Sequence, residues 1–217
     1  RAVLAKHWPG IPCYQDIRWV NADRLDRERI YVDVICGGFP CQDISDAGGR
    51  AGLAGARSGL WSEFARLIGE LRPKFAIVEN VSALLTRGMG RVIGDLARIG
   101  YDAEWSTVSA CSMGAPHVRR RVFIVAYPHR EHGEAWLWIA LARQGGAIQA
   151  LDGTPGARDC WRTRMEDTSE LYGGANGISG GLDRNRGVGN SIVPQIPEII
   201  GKAIMSTLRA EALKRVV

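Results

Sequence analysis

The chain has 217 residues, 46% hydrophobic and 24% charged, an ordinary balance for one globular core with at most a small appended unit. No apolar stretch reaches the roughly 18 residues of a membrane span, and the first residues lack the apolar segment of a secretory signal. The formal net charge of +5 is carried by 24 Arg and only 4 Lys; that excess permits nucleic-acid contact without demonstrating it, and Arg forks suit phosphates and base edges.

In chain order, the apolar run Val32–Phe39 reads as a strand, taken to be buried. It leads into Cys36-Gly-Gly-Phe-Pro-Cys41, where Gly37 and Gly38 allow a tight turn or a close approach to a ligand. Pro40 stiffens the approach to Cys41. Leu60, Trp61, Phe64, Leu67, Ile68 and Leu71 recur at helical spacing, and Arg72-Pro73 ends that helix. Phe75–Val81 is a second, nearly continuous apolar strand ending in Glu79-Asn80. Residues 83–99 read as one helix, and Tyr101–Ser109 and Val122–Ala126 as further strands. This alternation predicts an α/β fold with a parallel or mostly parallel sheet covered by helices.

After Pro128 the character changes. Residues 133–150 carry a helical pattern, and 152–189 are rich in Gly, Arg and Asp without a period. Regular structure returns at Gly189, and Pro194 and Pro197 precede a final helix through Ile199, Ile200, Ala203, Ile204 and Leu208. The chain opens on Arg1 rather than Met, which points to a start inside a larger protein.

The five cysteines include no pair at zinc-knuckle spacing, so free thiols in a reducing cytoplasm are the simplest account. His129 and His132 stand three apart and read as loop residues, and no metal site is expected.

Polar residues punctuate the strand ends: Cys41, Glu79, the pair Arg119/Arg121, and Asn190. Parallel strands deliver their carboxyl ends to one crevice, which would bring Cys41 near Glu79. A thiolate beside an acid can add across an electron-poor double bond. A carboxyl held after an apolar strand should have a raised pKa, suited to proton donation or to a hydrogen bond with a ring nitrogen. Arg119 and Arg121, at alternate strand positions, share a face from which they could fix a carbonyl oxygen or a phosphate. Each feature has a plainer reading: Cys41 as a buried core thiol, Glu79-Asn80 as a helix cap, the arginines as a solvated edge strand, Gly189-Asn190 as a turn.

Together and in this order, the segments resemble the DNA cytosine-5 methyltransferases, especially phage-type members. Gly38-Phe-Pro-Cys-Gln-Asp-Ile-Ser45 is similar to the family's Pro-Cys-Gln loop, and Glu79-Asn80-Val81 to its Glu-Asn-Val motif. Gly114-Ala-Pro-His-Val-Arg-Arg-Arg-Val-Phe123 is similar to Gly-x-Pro-Gln-x-Arg-x-Arg-x-Phe/Tyr, with His117 in place of Gln. Gly189-Asn-Ser-Ile-Val-Pro194 is similar to the closing Gly-Asn-x-x-x-Pro.

The resemblance implies a Rossmann-like class I methyltransferase sheet flanked by helices, with a small irregular target-recognition region. It divides the chain into a catalytic core, 1–127, a recognition region, 128–188, and a segment 189–217 whose helix returns to the core. It implies methyl transfer from S-adenosylmethionine to carbon 5 of a flipped-out cytosine in double-stranded DNA. Cys41 would attack carbon 6, Glu79 would hold ring nitrogen 3, and Arg121 with Arg119 would hold the base carbonyl. Asp16, Ile17, Pro40, Leu60, Asn190 and Ile192 match cofactor contacts. Gln42, Ser45 and loop 46–59 would close over DNA.

The family's opening Phe-x-Gly-x-Gly strand and its ribose-binding acid are absent, so an exposed sheet edge and half a cofactor pocket are expected. The implied protein is a cytoplasmic monomer of a bacterial or phage-infected cell, standing alone or beside a separate restriction endonuclease. Two alternatives remain at this stage: the same chemistry on tRNA, and an inactive remnant that only binds DNA.

Overall fold

The computed structural model describes residues 2–40, 60–110, 119–129 and 192–214. The expected helix at 133–150 and the recognition region lie outside the described residues, apart from Pro128 and His129. Two compact units divide the chain: Arg1–Trp105 with Val122–His132, and Ser106–Arg121 with Gly133–Val217.

The first unit opens with helix α1 (Ala2–His7), a 3-10 turn at Ile17–Trp19 and helix α2 (Ala22–Arg27). Strand β1 (Val34–Gly38), helix α3 (Leu60–Leu71) and strand β2 (Phe75–Val81) then form a parallel crossover, with Val34 opposite Phe75 and Gly38 opposite Glu79. The α3 span is the one its apolar period predicts. It buries Trp61, Phe64, Ala65, Leu67 and Ile68 on one face. Arg72, at φ 49, adopts the left-handed conformation that closes a helix, and its N–H bonds to the Ile68 carbonyl at 3.0 Å just before Pro73.

The predicted helix over 83–99 is two helices, α4 (Leu84–Arg87) and α5 (Met89–Arg98). Gly88 lies between them and serves as the cap of both; glycine's poor helix propensity accounts for the break. Strands β3 (Tyr101–Ser109) and β4 (Arg120–Pro128) follow, and the sheet order is β1-β2-β4-β3.

One expectation needs correction and another is narrowed. Of the last two strands one runs with β1 and β2 and the other against them, so the sheet is mostly parallel, as expected. The His129 N–H bonds to the Gly100 carbonyl and the Ala110 N–H to the Arg119 carbonyl, each at 2.9 Å, so β3 and β4 pair as an antiparallel hairpin. Strand β1, expected to be buried, is mostly exposed, with only Ile35 half-buried. It ends the sheet order and has a strand neighbour on one side only among the described residues. The central β2 is the buried strand, with Phe75, Ala76 and Val78 sealed from solvent.

The core of this unit packs Trp61, Phe64 and Ile68 of α3 and Val92 and Leu96 of α5 on Val78, Ile124 and Ala126 of the sheet. Each large side chain so buried stabilises the fold by roughly 1.5–3 kcal/mol. Trp61, the largest of the fully buried side chains among the described residues, donates its indole N–H to Asp95 Oδ2 at 3.0 Å, which ties α3 to α5.

In the second unit, the described residues comprise the adjoining ends of β3 and β4 and helix α6 (Gln195–Lys214). Pro197 sits in the first turn of α6, where its missing N–H costs nothing. Ile196, Ile200, Ala203 and Ile204 form the buried stripe of this helix. Among the described residues no helix is long and apolar enough to cross a membrane.

Candidate active site

The carboxyl ends of β1 and β2 lie side by side because parallel pairing sets them in register. Gly38 stands opposite Glu79. A Cβ placed on Gly38 would come within 3.1 Å of both the Glu79 carbonyl oxygen and its Oε2, so the half-buried carboxylate folds over the glycine. A larger residue at position 38 would occupy that space. Cys41, three residues on, lies outside the described residues, as do Gln42, Ser45 and Asn190.

Asn80 next to Glu79 is buried. Its Nδ2 donates to the Phe39 carbonyl at 3.2 Å, and its Oδ1 accepts from the Val81 N–H at 2.8 Å. The side chain therefore stitches the end of β2 to the residue two before Cys41. It caps no helix: the α4 N-cap is Ala83, with no side-chain bond. Phe39 is held from its other side by Trp61, ring centroids 5.3 Å apart, and Trp61 in turn stands edge-on to Phe64 at 6.1 Å.

Beside these strand ends is a cavity of about 180 Å³. Ile17, Pro40 and Leu60, three of the residues expected to contact a cofactor, all line it. Ile35, Phe64 and the stretch Cys36–Phe39 complete the wall. The volume falls below the roughly 300–1,000 Å³ of complete small-molecule sites. Its walls are apolar side chains with glycine backbone between them, which suits the flat base of a nucleoside. In that respect the residues fit the adenine end of S-adenosylmethionine, and the described cavity is too small for the remainder of that molecule.

Asp16, expected among the cofactor contacts, is engaged within its own turn. Its Oδ1 accepts from the Arg18 backbone N–H and from Arg18 Nε, each at 2.9 Å, and Oδ2 pairs with Arg18 Nη2 at 2.5 Å. Side-chain and then backbone hydrogen bonds from Arg18 hold the Asp16 carboxyl down to about 2. It does not line the cavity, although its neighbour Ile17 does.

Arg119 and Arg121 belong to the other unit. Both are half-buried and flank the exposed Arg120, as residues sharing one face should. Arg121 Nη1 donates to the Arg120 carbonyl at 2.8 Å. Because β4 lies between β2 and β3, the solvated edge-strand reading of these arginines is set aside. Ile192 is exposed and also belongs to the second unit.

Sequence reasoning missed the stitching role of Asn80, and it left Phe64 and the exposed thiol of Cys36 out of the cavity wall. The β1 pattern does carry a signal for the second, since Cys36 and Gly38 alternate along the strand that leads to Cys41.

Residues 2–143 match the family model for C-5 cytosine-specific DNA methylase. Type II methyltransferase M2.BsuMI of Bacillus subtilis (strain 168) is 36% identical over 134 residues, 58% of this chain and 33% of the relative. Type II methyltransferase M.AgeI of Thalassovita gelatinovora is 41% identical over 97 residues, covering 43% of this chain and 22% of the relative. The chain thus spans a third or less of either. The crystal structure of S. pombe Dnmt2 methyltransferase aligns with a TM-score of 0.51 at 17% identity, covering 69% of this chain and 46% of that one, a likeness of fold.

Proposed function

The chain belongs to the C-5 cytosine-specific DNA methylases, and on that premise we propose that it methylates carbon 5 of a cytosine flipped out of double-stranded DNA. The observation that carries this reading is the Glu79 carboxylate folded over Gly38, three residues before Cys41, with an apolar cavity alongside.

In the proposed reaction the Cys41 thiolate forms a bond to carbon 6 of the ring. The displaced electron pair makes carbon 5 nucleophilic. Glu79 holds ring nitrogen 3 in its hydrogen-bonded or protonated form, which lowers the cost of that electron shift. Arg121, supported by Arg119, holds the base carbonyl oxygen. S-adenosylmethionine, when bound, supplies the methyl group. Loss of the carbon 5 proton then restores the double bond and expels the Cys41 thiolate.

Ile17, Pro40 and Leu60 would hold the cofactor base, with Asp16 at the rim and Asn190 and Ile192 as further contacts. Gln42 and Ser45 would meet the DNA. The Type II names of the relatives support a role as the methylating member of a restriction–modification pair.

The test is covalent trapping. The full-length protein should form an adduct with DNA containing 5-fluorocytosine in the presence of S-adenosylmethionine, because fluorine cannot leave as the proton does. Cys41→Ala should abolish adduct and methyl transfer while retaining DNA affinity. Methylation that persists in Cys41→Ala removes the assigned nucleophile.

A further inference from the structure

One wall of the cavity rests on an element too small to hold itself. Ile17 sits on a three-residue 3-10 turn, closed by two 3.1 Å backbone bonds, Trp19 N–H to the Asp16 carbonyl and Val20 N–H to the Ile17 carbonyl, and capped by the Asp16 side chain. The opposite wall, Leu60 and Phe64, is on α3. The two walls are joined by Arg66, two residues past Phe64 on that helix. Its Nη2 donates to the Val20 carbonyl at 2.9 Å and to the Ile17 carbonyl at 3.3 Å.

The rest of the Arg66 guanidinium is fixed by its own helix. Nε pairs with Glu63 at 2.9 Å and Nη1 with Glu70 at 2.8 Å. Glu70 Oε2 also accepts from the Ala22 N–H at 3.3 Å, beyond the other end of the turn. Three directions of one planar fork are therefore in use, two to α3 and one to the turn. A lysine offers a single flexible ammonium and cannot reproduce that span.

We propose that Arg66 is a positioning residue: it sets the separation of Ile17 from Leu60 and Phe64, and so the affinity for the cofactor base, without touching the cofactor. The inference rests on the reading of this cavity as the S-adenosylmethionine site. Losing Arg66 frees the Val20 carbonyl and leaves the Ile17 carbonyl with only its bond inside the turn, and the wall that carries Ile17 relaxes with them. Glu79 is on β2, a different element, and keeps its geometry.

The experiment compares the full-length protein with Arg66→Met, Arg66→Lys and Ile17→Ala. It measures equilibrium affinity for S-adenosylmethionine by calorimetry, affinity for DNA, kcat and KM. Arg66→Met should weaken S-adenosylmethionine binding about tenfold, equivalent to about 1.4 kcal/mol. KM for that substrate should rise in step, while kcat and DNA affinity stay within about twofold of the unmodified protein. Arg66→Lys keeps charge near Glu63 and Glu70 and should recover only part of the loss; it carries the test alone if Arg66→Met does not fold. Cofactor affinity unchanged in a folded Arg66 variant, with Ile17→Ala still weakened, overturns the inference and leaves the site reading intact. Indifference of Ile17→Ala as well overturns both. Equal losses of cofactor and DNA affinity would mark Arg66 as a general stabiliser and also overturn the inference.

Discussion

Gly38 and Glu79 face each other across the parallel β1–β2 ladder, and the carboxylate of the second occupies the space a side chain on the first would need. The missing Cβ is thus a condition for the place of the acid. Gly38→Ala sets a methyl 3.1 Å from a strand carbonyl that cannot yield and 3.1 Å from an Oε2 that can. The carboxylate should swing away. Overpacking of this kind costs about 1–3 kcal/mol, and if it falls on the transition state, methyl transfer drops by roughly 5- to 150-fold. Steady-state transfer of labelled methyl groups to DNA would measure it; an unaltered rate in Gly38→Ala contradicts the placement.

Glu79→Gln keeps the shape and removes the acid. Positioned acid–base groups contribute about 10²–10⁴-fold, so transfer should slow by a factor in that range, with DNA affinity little changed. Single-turnover rates at saturating DNA separate the two effects. A rate equal to that of the parent takes Glu79 out of the mechanism.

Asn80→Ala removes the buried bond to the Phe39 carbonyl and the acceptor for the Val81 N–H. Leaving buried groups without partners costs about 1–3 kcal/mol. The thermal midpoint should fall by about 2–4 °C for each kcal/mol lost. Asn80→Asp, which keeps the acceptor and lacks the donor, should also destabilise. Calorimetric scans decide, and midpoints equal to that of the unmodified protein would show that the stitch is idle.

Asp16 should titrate at about 2 rather than its ordinary 3.8, because Arg18 donates to its ionised form. A depressed carboxyl stabilises the folded state fully above 3.8 and loses that contribution as the pH falls toward 2. The pair lies near water, so screening keeps the effect modest. Carboxyl NMR shifts should place the midpoint near 2 and move it up toward 3.8 in Arg18→Ala. A midpoint that ignores the substitution would dissolve the pair.

Much of the scaffold was legible because its signals are local. The apolar period from Leu60 to Leu71, cut by Pro73, defines α3, and the run Phe75–Val81 defines β2 to the residue. What escaped depends on partners. Periodicity says that 101–109 and 122–126 are extended, and it is silent on direction, so the antiparallel hairpin could not be read. Burial of β1 was inferred from its apolar letters, but exposure follows from its place at the end of the sheet order. Within the site, Ile17, Pro40 and Leu60 were assigned by resemblance and do share a cavity. The grip of Arg18 on Asp16 and that of Arg66 on Ile17 are products of folding, and neither leaves a mark in spacing.

The sheet order β1-β2-β4-β3 carries a consequence for synthesis. The strand that seats itself against β2 is the last of the four to leave the ribosome. Until Arg120–Pro128 emerges, the apolar Phe75–Val81 has one side open, and β3, made earlier, is within reach as a wrong partner. Through that interval, pairing with the wrong strand or with a second copy competes with correct folding, as unpaired strand edges generally allow.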